Sequence, residues 1–180
     1  MTAPCPAGTP AVMSTGPAGP DRPAKYHPVD RLPDALAALP RPWVFTNGVF
    51  DLLHRGHVQG LQAARALGAS LIVGVNSDAS ARSLGKGPGR PVHTAADRIW
   101  VLAALEAVSA VTVFEEATPL ALLARLRPEF YVKGGDYDVA RLPEAALVAQ
   151  WGGRALAVPF VAGHSSTGIL RRLGIEPQRG

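Results

Sequence analysis

The stretch WVFTNGVFDLLHRGHVQGLQAARALG, Trp43 to Gly68, decides the fold. It opens as an apolar strand, WVFTN. It closes as an amphipathic helix, GHVQGLQAARALG, in which Val58, Leu61, Ala64 and Leu67 keep helical spacing and Gly68 offers a stop. Between the two stands HRGH, which sets His54 and His57 at the point where strand turns into helix. The unit is a strand, a polar turn and a helix, and the rest of the chain repeats that alternation.

SLIVGVN reads as a buried strand and SDASARSLG as a short helix capped by Ser77 or Asp78. KGPGRPVHT is a loop dense in Gly and Pro. AADRIWVLAALEAV is a helix with Ile99, Leu102 and Leu105 on one face, and SAVTVF is a strand. TPLALLARLR is a helix with Pro119 in its first turn, and FYVKGG is a strand running into a glycine turn. PEAALVAQWGG, RALAVPFV and SSTGILRRLG complete the series as helix, strand and helix. Upstream, VDRLPDALAALPRP holds a short helix from Pro33 to Leu39, ended by Pro40. Trp43, Trp100 and Trp151 sit among apolar residues and are expected in the core.

Apolar strands alternating with helices predict an α/β fold: a Rossmann-like, doubly wound parallel five-stranded sheet in a single domain. The expected domain covers residues 26–175. It is flanked by a disordered, Pro/Ala/Gly-rich tail over 1–25 and a short C-terminal tail over 176–180. No internal repeat is visible.

Composition narrows the class. The 180 residues are 47% hydrophobic and 18% charged, with a formal net charge of +4, a globular balance. No run of like charges points to nucleic acid. The one cysteine, Cys5, excludes a disulfide framework or a cysteine zinc site. The N-terminus lacks the pattern of a signal peptide, and no apolar run approaches the ~18 residues of a membrane span. The expectation is a soluble, cytoplasmic protein with small-molecule substrates and no nucleic-acid or membrane partner.

In a doubly wound sheet, ligands bind beyond the carboxyl ends of the strands, where strand order reverses. His54 and His57 follow the first strand, Lys133 follows the run FYV, and Ser165, Ser166 and Thr167 open the last helix. All therefore converge on one crevice. Two helix N-termini offering free N–H groups, a lysine and two imidazoles suit a polyphosphate. No nucleophile is paired with a base, so direct in-line transfer is the economical chemistry. Gly56 lets the helix start approach a nucleotide without an intervening side chain.

TNGVFDLLHRGH resembles the first motif of the HxGH nucleotidyltransferase superfamily, and VKGGDY and HSSTGILRR resemble its second and third landmarks. VNSDAS, KGPGRPV, ADRIWVLAALEAV, FEEATP, RPEFYVKGGDY and GHSSTGIL further resemble the adenylyltransferase domain that makes ADP-heptose from heptose 1-phosphate. The similarity runs from about Trp43 to Leu173. It implies an enzyme in which a substrate phosphate attacks the α-phosphorus of a nucleoside triphosphate, normally with Mg²⁺, and pyrophosphate leaves. By the same resemblance His54, His57 and Lys133 are the catalytic residues, the histidines stabilising the pentavalent transition state. Asn47, Gly48, Val49, Phe50, Asp51, Gly56, Lys86, Gly134, Asp136, Ser165, Ser166 and Thr167 line the nucleotide. Within that set, Asp51 orients its loop and Lys86 covers the β- and γ-phosphates. Arg98 contacts the acceptor substrate, and no metal is held by protein side chains. Family members are often dimers, which leaves a homodimer open.

The sequence departs from the pattern in places. The last motif usually reads C-S-T-T or I-S-T-T, where this chain has His164-Ser165-Ser166-Thr167. His164 either touches the nucleotide or caps the helix, and capping is the expectation. The heptose enzymes often carry a sugar-kinase domain on the same chain. None is present in this sequence, so a separate kinase is expected. His27 and His93 read as ordinary surface or structural histidines. Three rival readings are a cytidylyltransferase for glycerol 3-phosphate or ethanolamine phosphate, a non-catalytic nucleotide-binding module, and a class I aminoacyl-tRNA synthetase. The module is disfavoured because both histidines and Lys133 are retained. The synthetase is disfavoured because no K-M-S-K-S-like loop is present.

Overall fold

The computed structural model describes residues 21–85, 87, 89–135, 138–158 and 163–174. Lys86 and Asp136, both expected near the nucleotide, lie outside the described residues, as does Cys5.

Five strands form the sheet: β1 (Trp43–Gly48), β2 (Ser70–Asn76), β3 (Ala110–Phe114), β4 (Phe130–Gly134) and β5 (Arg154–Val158). Their order is β3-β2-β1-β4-β5 and every pairing is parallel. The chain builds outward from β1 to β2 and β3, then returns to lay β4 on the other side of β1. The reversal point is therefore the β1–β4 seam, where Val44, Phe45 and Thr46 pair with Phe130, Tyr131 and Val132.

Among the described residues seven α-helices flank the sheet: α1 (Leu32–Leu36), α2 (Arg55–Arg65), α3 (Asp78–Ser83), α4 (Ala95–Ala103), α5 (Leu120–Leu126), α6 (Pro143–Ala149) and α7 (Ser166–Arg172). Two apolar clusters show which face each takes. Val44, Val73, Val75, Val111 and Val132 pack with Leu61 and Ala64 of α2 and with Ile99, Leu102 and Ala103 of α4. Phe45, Ile72, Phe114 and Tyr131 pack with Leu32 and Leu36 of α1, Leu122, Leu123 and Leu126 of α5, and Val148 of α6. Alternate strand residues thus point to opposite faces, and both are covered, which is why the strands read as unbroken apolar runs.

Several boundaries move. Helix α4 ends at Ala103, short of the expected Val108, and α1 starts at Leu32 and stops at Leu36. Ser77 caps α3 by accepting from the Ser80 N–H, and Thr94 caps α4 by accepting from Asp97. Trp43 is buried, whereas Trp100 is 42% exposed. Ile99, Leu102 and Ala103 take the inward stripe of α4, so Trp100 and Val101 fall on its outer side. Packing also begins before residue 26. The Lys25 carbonyl accepts from Val111 N–H, His27 N–H donates to the Val111 carbonyl, and Lys25 Nζ reaches the Leu105 carbonyl at 2.9 Å.

Candidate active site

At the carboxyl ends of β1 and β4 lies a cavity of about 660 Å³. It is lined by Asn47 to Asp51, His54, Gly56 and His57 on one side, and by Lys133, Gly134 and His164 to Thr167 on the other. Thirteen of the expected residues that fall within the described chain, Asn47 to Asp51, His54, Gly56, His57, Lys133, Gly134, Ser165, Ser166 and Thr167, are thus brought together.

The first wall is built by a tight turn. Phe50 adopts a left-handed backbone conformation, φ 51°, which is uncommon for a bulky residue. Its ring folds back over Gly48, where an added Cβ would sit 3.2 Å from the ring. A glycine at 48 is therefore what lets the phenylalanine close the turn. The Phe50 ring then meets His57 edge-on, with centroids 5.5 Å apart. Beneath it, Asn47 is oriented by Tyr131, whose hydroxyl lies 2.9 Å from the Asn47 side-chain oxygen.

His54 is the N-cap residue of α2, in extended conformation, and its side chain makes no capping bond. The imidazoles of His54 and His57 stack with centroids 3.9 Å apart. His54 Nδ1 is buried without a hydrogen-bond partner among the described residues. Burial, and then the neighbouring His164, hold the His54 imidazole below its ordinary pKa. Two stacked rings resist carrying two charges unless an anion lies against them, and the N-terminus of α2 offers further N–H groups beside them. Gly56 has a use that its sequence position did not reveal. A Cβ there would meet the His54 ring and the His164 Cβ, each at 3.1 Å. Its bare Cα makes room for side chains of this protein.

On the opposite wall Ser165, not His164, caps α7, accepting from Gly168 N–H at 3.0 Å. The expected capping role of His164 is thereby corrected: a side-chain oxygen one residue later already fills it. Ser166 donates to the Leu52 carbonyl at 3.2 Å and so ties α7 to the histidine turn.

Asp51 and Arg98 are both engaged by the protein. Asp51 is 3% exposed. One of its oxygens accepts from Arg90 Nε at 2.6 Å, and the other accepts from the N–H groups of Val92 and His93 at 2.6 and 3.0 Å. It clamps the loop before α4 to the histidine turn, and its carboxylate is spent on protein. Arg98, expected to hold the acceptor, is 2% exposed and already engaged. It donates to the carbonyls of Val49 at 2.6 Å, Asn76 at 2.8 Å and His93 at 3.1 Å, and pairs with Asp78 at 2.6 Å. A buried guanidinium requires such partners, and these fix the turns after β1 and β2 to the start of α4. Arg98 shapes the site from behind and does not reach into it.

Arg90, Tyr131 and Asn76 were not singled out from sequence. For Arg90 the one legible signal is the motif aspartate itself, a carboxylate in an apolar turn that needs a cationic or N–H partner from elsewhere. Among the described residues no group of three His, Cys, Asp or Glu side chains is placed to hold a metal ion, and no helix is long and apolar enough to cross a membrane.

The chain is similar to several known proteins. The chain is 57% identical over 139 residues to a D-beta-D-heptose 1-phosphate adenylyltransferase of Bordetella bronchiseptica, covering 77% of this chain and 86% of that one. It is 54% identical over 160 residues to the bifunctional protein HldE of Streptomyces coelicolor, matching 87% of this chain but spanning only 34% of that relative. Among solved structures, a lipopolysaccharide core biosynthesis protein of Thermoplasma volcanium superposes with a TM-score of 0.56 at 26% identity, over 66% of this chain and 95% of that one. A pantothenate synthetase of Thermus thermophilus shares the fold, with a TM-score of 0.53 at 18% identity over 84% of this chain and 70% of that one. The cytidylyltransferase-like family model matches residues 45–171, which takes in the sheet, the histidine turn and α7 as far as Arg171. The chain belongs to the cytidylyltransferase-like family.

Proposed function

We propose that this protein is an adenylyltransferase that joins the AMP part of ATP to heptose 1-phosphate, releasing pyrophosphate and forming ADP-heptose. The observation that carries the reading is the convergence of His54, His57, Lys133 and the Ser165–Thr167 helix start on one cavity at the β1–β4 reversal. Homology to heptose 1-phosphate adenylyltransferase supports the choice of nucleotide and acceptor.

The acceptor phosphate is already anionic, so it needs no general base. One of its oxygens forms a bond to the α-phosphorus while the bond to the β-phosphate bridging oxygen breaks, and pyrophosphate takes that electron pair. Charge grows on the phosphate oxygens, and the protein's part is to supply preorganised donors there. His57 and His54 stand at the N-terminus of α2, Lys133 at the end of β4, and the Ser165–Thr167 segment faces them. The backbone of Val49 and Phe50 would lie beside the α-phosphate and sugar. The Val49 carbonyl is held by Arg98, which keeps that turn from shifting as charge develops.

Mg²⁺ fits this donor set as a companion of the triphosphate. Asp51, the one carboxylate lining the cavity among the described residues, is committed to Arg90 and two backbone N–H groups. The ion would be carried by phosphate oxygens, where it neutralises charge.

Pyrophosphate release measured with each of four nucleoside triphosphates against a panel of sugar and alcohol phosphates tests the reading. Turnover with ATP and heptose 1-phosphate is the expected result. Preference for CTP with an alcohol phosphate would replace it with a cytidylyltransferase. No release from any pair would leave a nucleotide-binding module.

A further inference from the structure

Three imidazoles face the cavity, not two. His164 stands one residue before the N-cap of α7, is half-buried, and lines the same cavity as His54 and His57. Its ring centroid lies 6.3 Å from that of His54, which in turn lies 3.9 Å from that of His57. The rings form a row from the start of α2 to the start of α7. The row depends on Gly56, because a Cβ there would press on the His164 Cβ at 3.1 Å. Capping of α7 belongs to Ser165, so the helix end does not account for the imidazole.

The ionisable groups lining the cavity, among the described residues, are His54 and His57 of α2, Lys133 of β4, Arg90 and Asp51, and His164. Arg90 and Asp51 neutralise one another in a salt bridge. Lys133 and the three imidazoles are the other basic groups that line the cavity.

We propose that His164 is a third phosphate-binding imidazole, which as an imidazolium pairs with the triphosphate chain beside His54 and makes nucleotide affinity depend on one proton more than HRGH alone supplies. This rests on the nucleotidyltransferase reading of the site. In the empty cavity His164 adds to burial in disfavouring charge on the His54 imidazole. A triphosphate reverses the balance by drawing protons onto the row. Affinity then falls as pH rises through the range in which imidazoles lose their protons.

The test is ATP binding by titration calorimetry from about pH 5.5 to about pH 8.5, with wild type, His164→Gln and His164→Lys, each checked for an unchanged melting temperature. His164→Gln is expected to weaken binding about tenfold at the acidic end, the size of a lost charge-assisted contact. It should also flatten the dependence of log Kd on pH, by up to about half a proton, the most that a tenfold effect allows. His164→Lys should restore affinity at the alkaline end with the same flattened slope, since its charge persists there. In the nucleotide-free protein, the His54 imidazole resonance should titrate at higher pH in His164→Gln. A His164→Gln slope equal to that of wild type overturns the proposal. Absence of ATP binding by wild type overturns instead the nucleotidyltransferase reading on which it stands.

Discussion

The two ends of the sheet use their polar groups in opposite ways. At the amino-terminal end of the strands, they are turned on the protein itself. Glu129 accepts from Trp43 N–H at 2.7 Å and from Arg41, whose guanidinium also lies 3.6 Å over the Trp43 ring. Ser70 donates to the Pro40 carbonyl and Trp151 to the Pro128 carbonyl. At the carboxyl end Asp51 and Arg98 are likewise engaged, but other polar side chains surround a cavity, and His54 Nδ1 is buried there without a partner among the described residues. One end closes the fold and the other is arranged for a ligand. Satisfied polar groups stabilise, whereas groups held in place by neighbours but left for a ligand reduce stability and supply preorganisation.

Substitutions at the two ends should therefore separate activity from stability. The largest effect is expected from His57→Ala, which on the proposed mechanism removes a donor at the developing charge. Turnover should fall by about 10²–10³, with a smaller change in nucleotide affinity and little change in melting temperature. Single-turnover kinetics reads this directly, and an unchanged kcat would remove His57 from the mechanism.

Two glycines, one in the first turn of α2 and one beyond its end, sharpen the contrast. Gly68, beyond its end, needs its bare Cα for packing: a Cβ would lie 2.6 Å from the Pro42 carbonyl oxygen and 2.8 Å from the Val44 side chain. Gly68→Ala should cost about 2 kcal/mol of stability in urea unfolding, as overpacking against backbone does, and leave kcat nearly intact. Gly56→Ala should do the reverse. Alanine favours the helix, so stability should hold or rise slightly, while displacement of His54 and His164 should lower kcat/KM by about tenfold. If both variants lose stability alone, the division between the ends is not real at these positions.

The smallest effect is expected at Glu129. Burial pushes its pKa up, but the Trp43 N–H and Arg41 outweigh this and hold it below the ordinary value. A depressed carboxylate stabilises the fold above its unfolded pKa, and the contribution fades as pH falls through the folded one. The ion pair is largely exposed, so Glu129→Gln should shift the urea midpoint only slightly near neutral pH, by under about 1 kcal/mol. It should also flatten the acid limb of the stability curve. A loss that persists at the lowest pH would assign Glu129 a packing role.

Much of this was legible in the chain. Strand β2 was read to the residue, Ser70–Asn76, because a run buried on both faces carries no alternation to misjudge. Helix α4 was overextended, since Leu105 continues the apolar pattern after the hydrogen-bonded turns have ended at Ala103. Trp100 was misplaced because an apolar neighbourhood in sequence says nothing about which side of a helix a residue takes.

The sequence by itself determined the alternation of strand and helix, the parallel sheet that follows from it, and the gathering of HRGH, Lys133 and Ser165–Thr167 at the strand ends. These rest on local periodicity and on connection rules, which act over a few tens of residues at most. Tertiary structure alone decided what Arg98, Asp51 and His164 do. Arg98 meets Val49 across 49 residues and Asp51 meets Arg90 across 39, while Tyr131 orients Asn47 across 84. A buried charge takes whichever partner the fold brings beside it, and sequence spacing does not encode that partner. The same holds for the third imidazole, which comes beside His54 because the first turn of α2 carries a glycine, Gly56, where a Cβ would press on both.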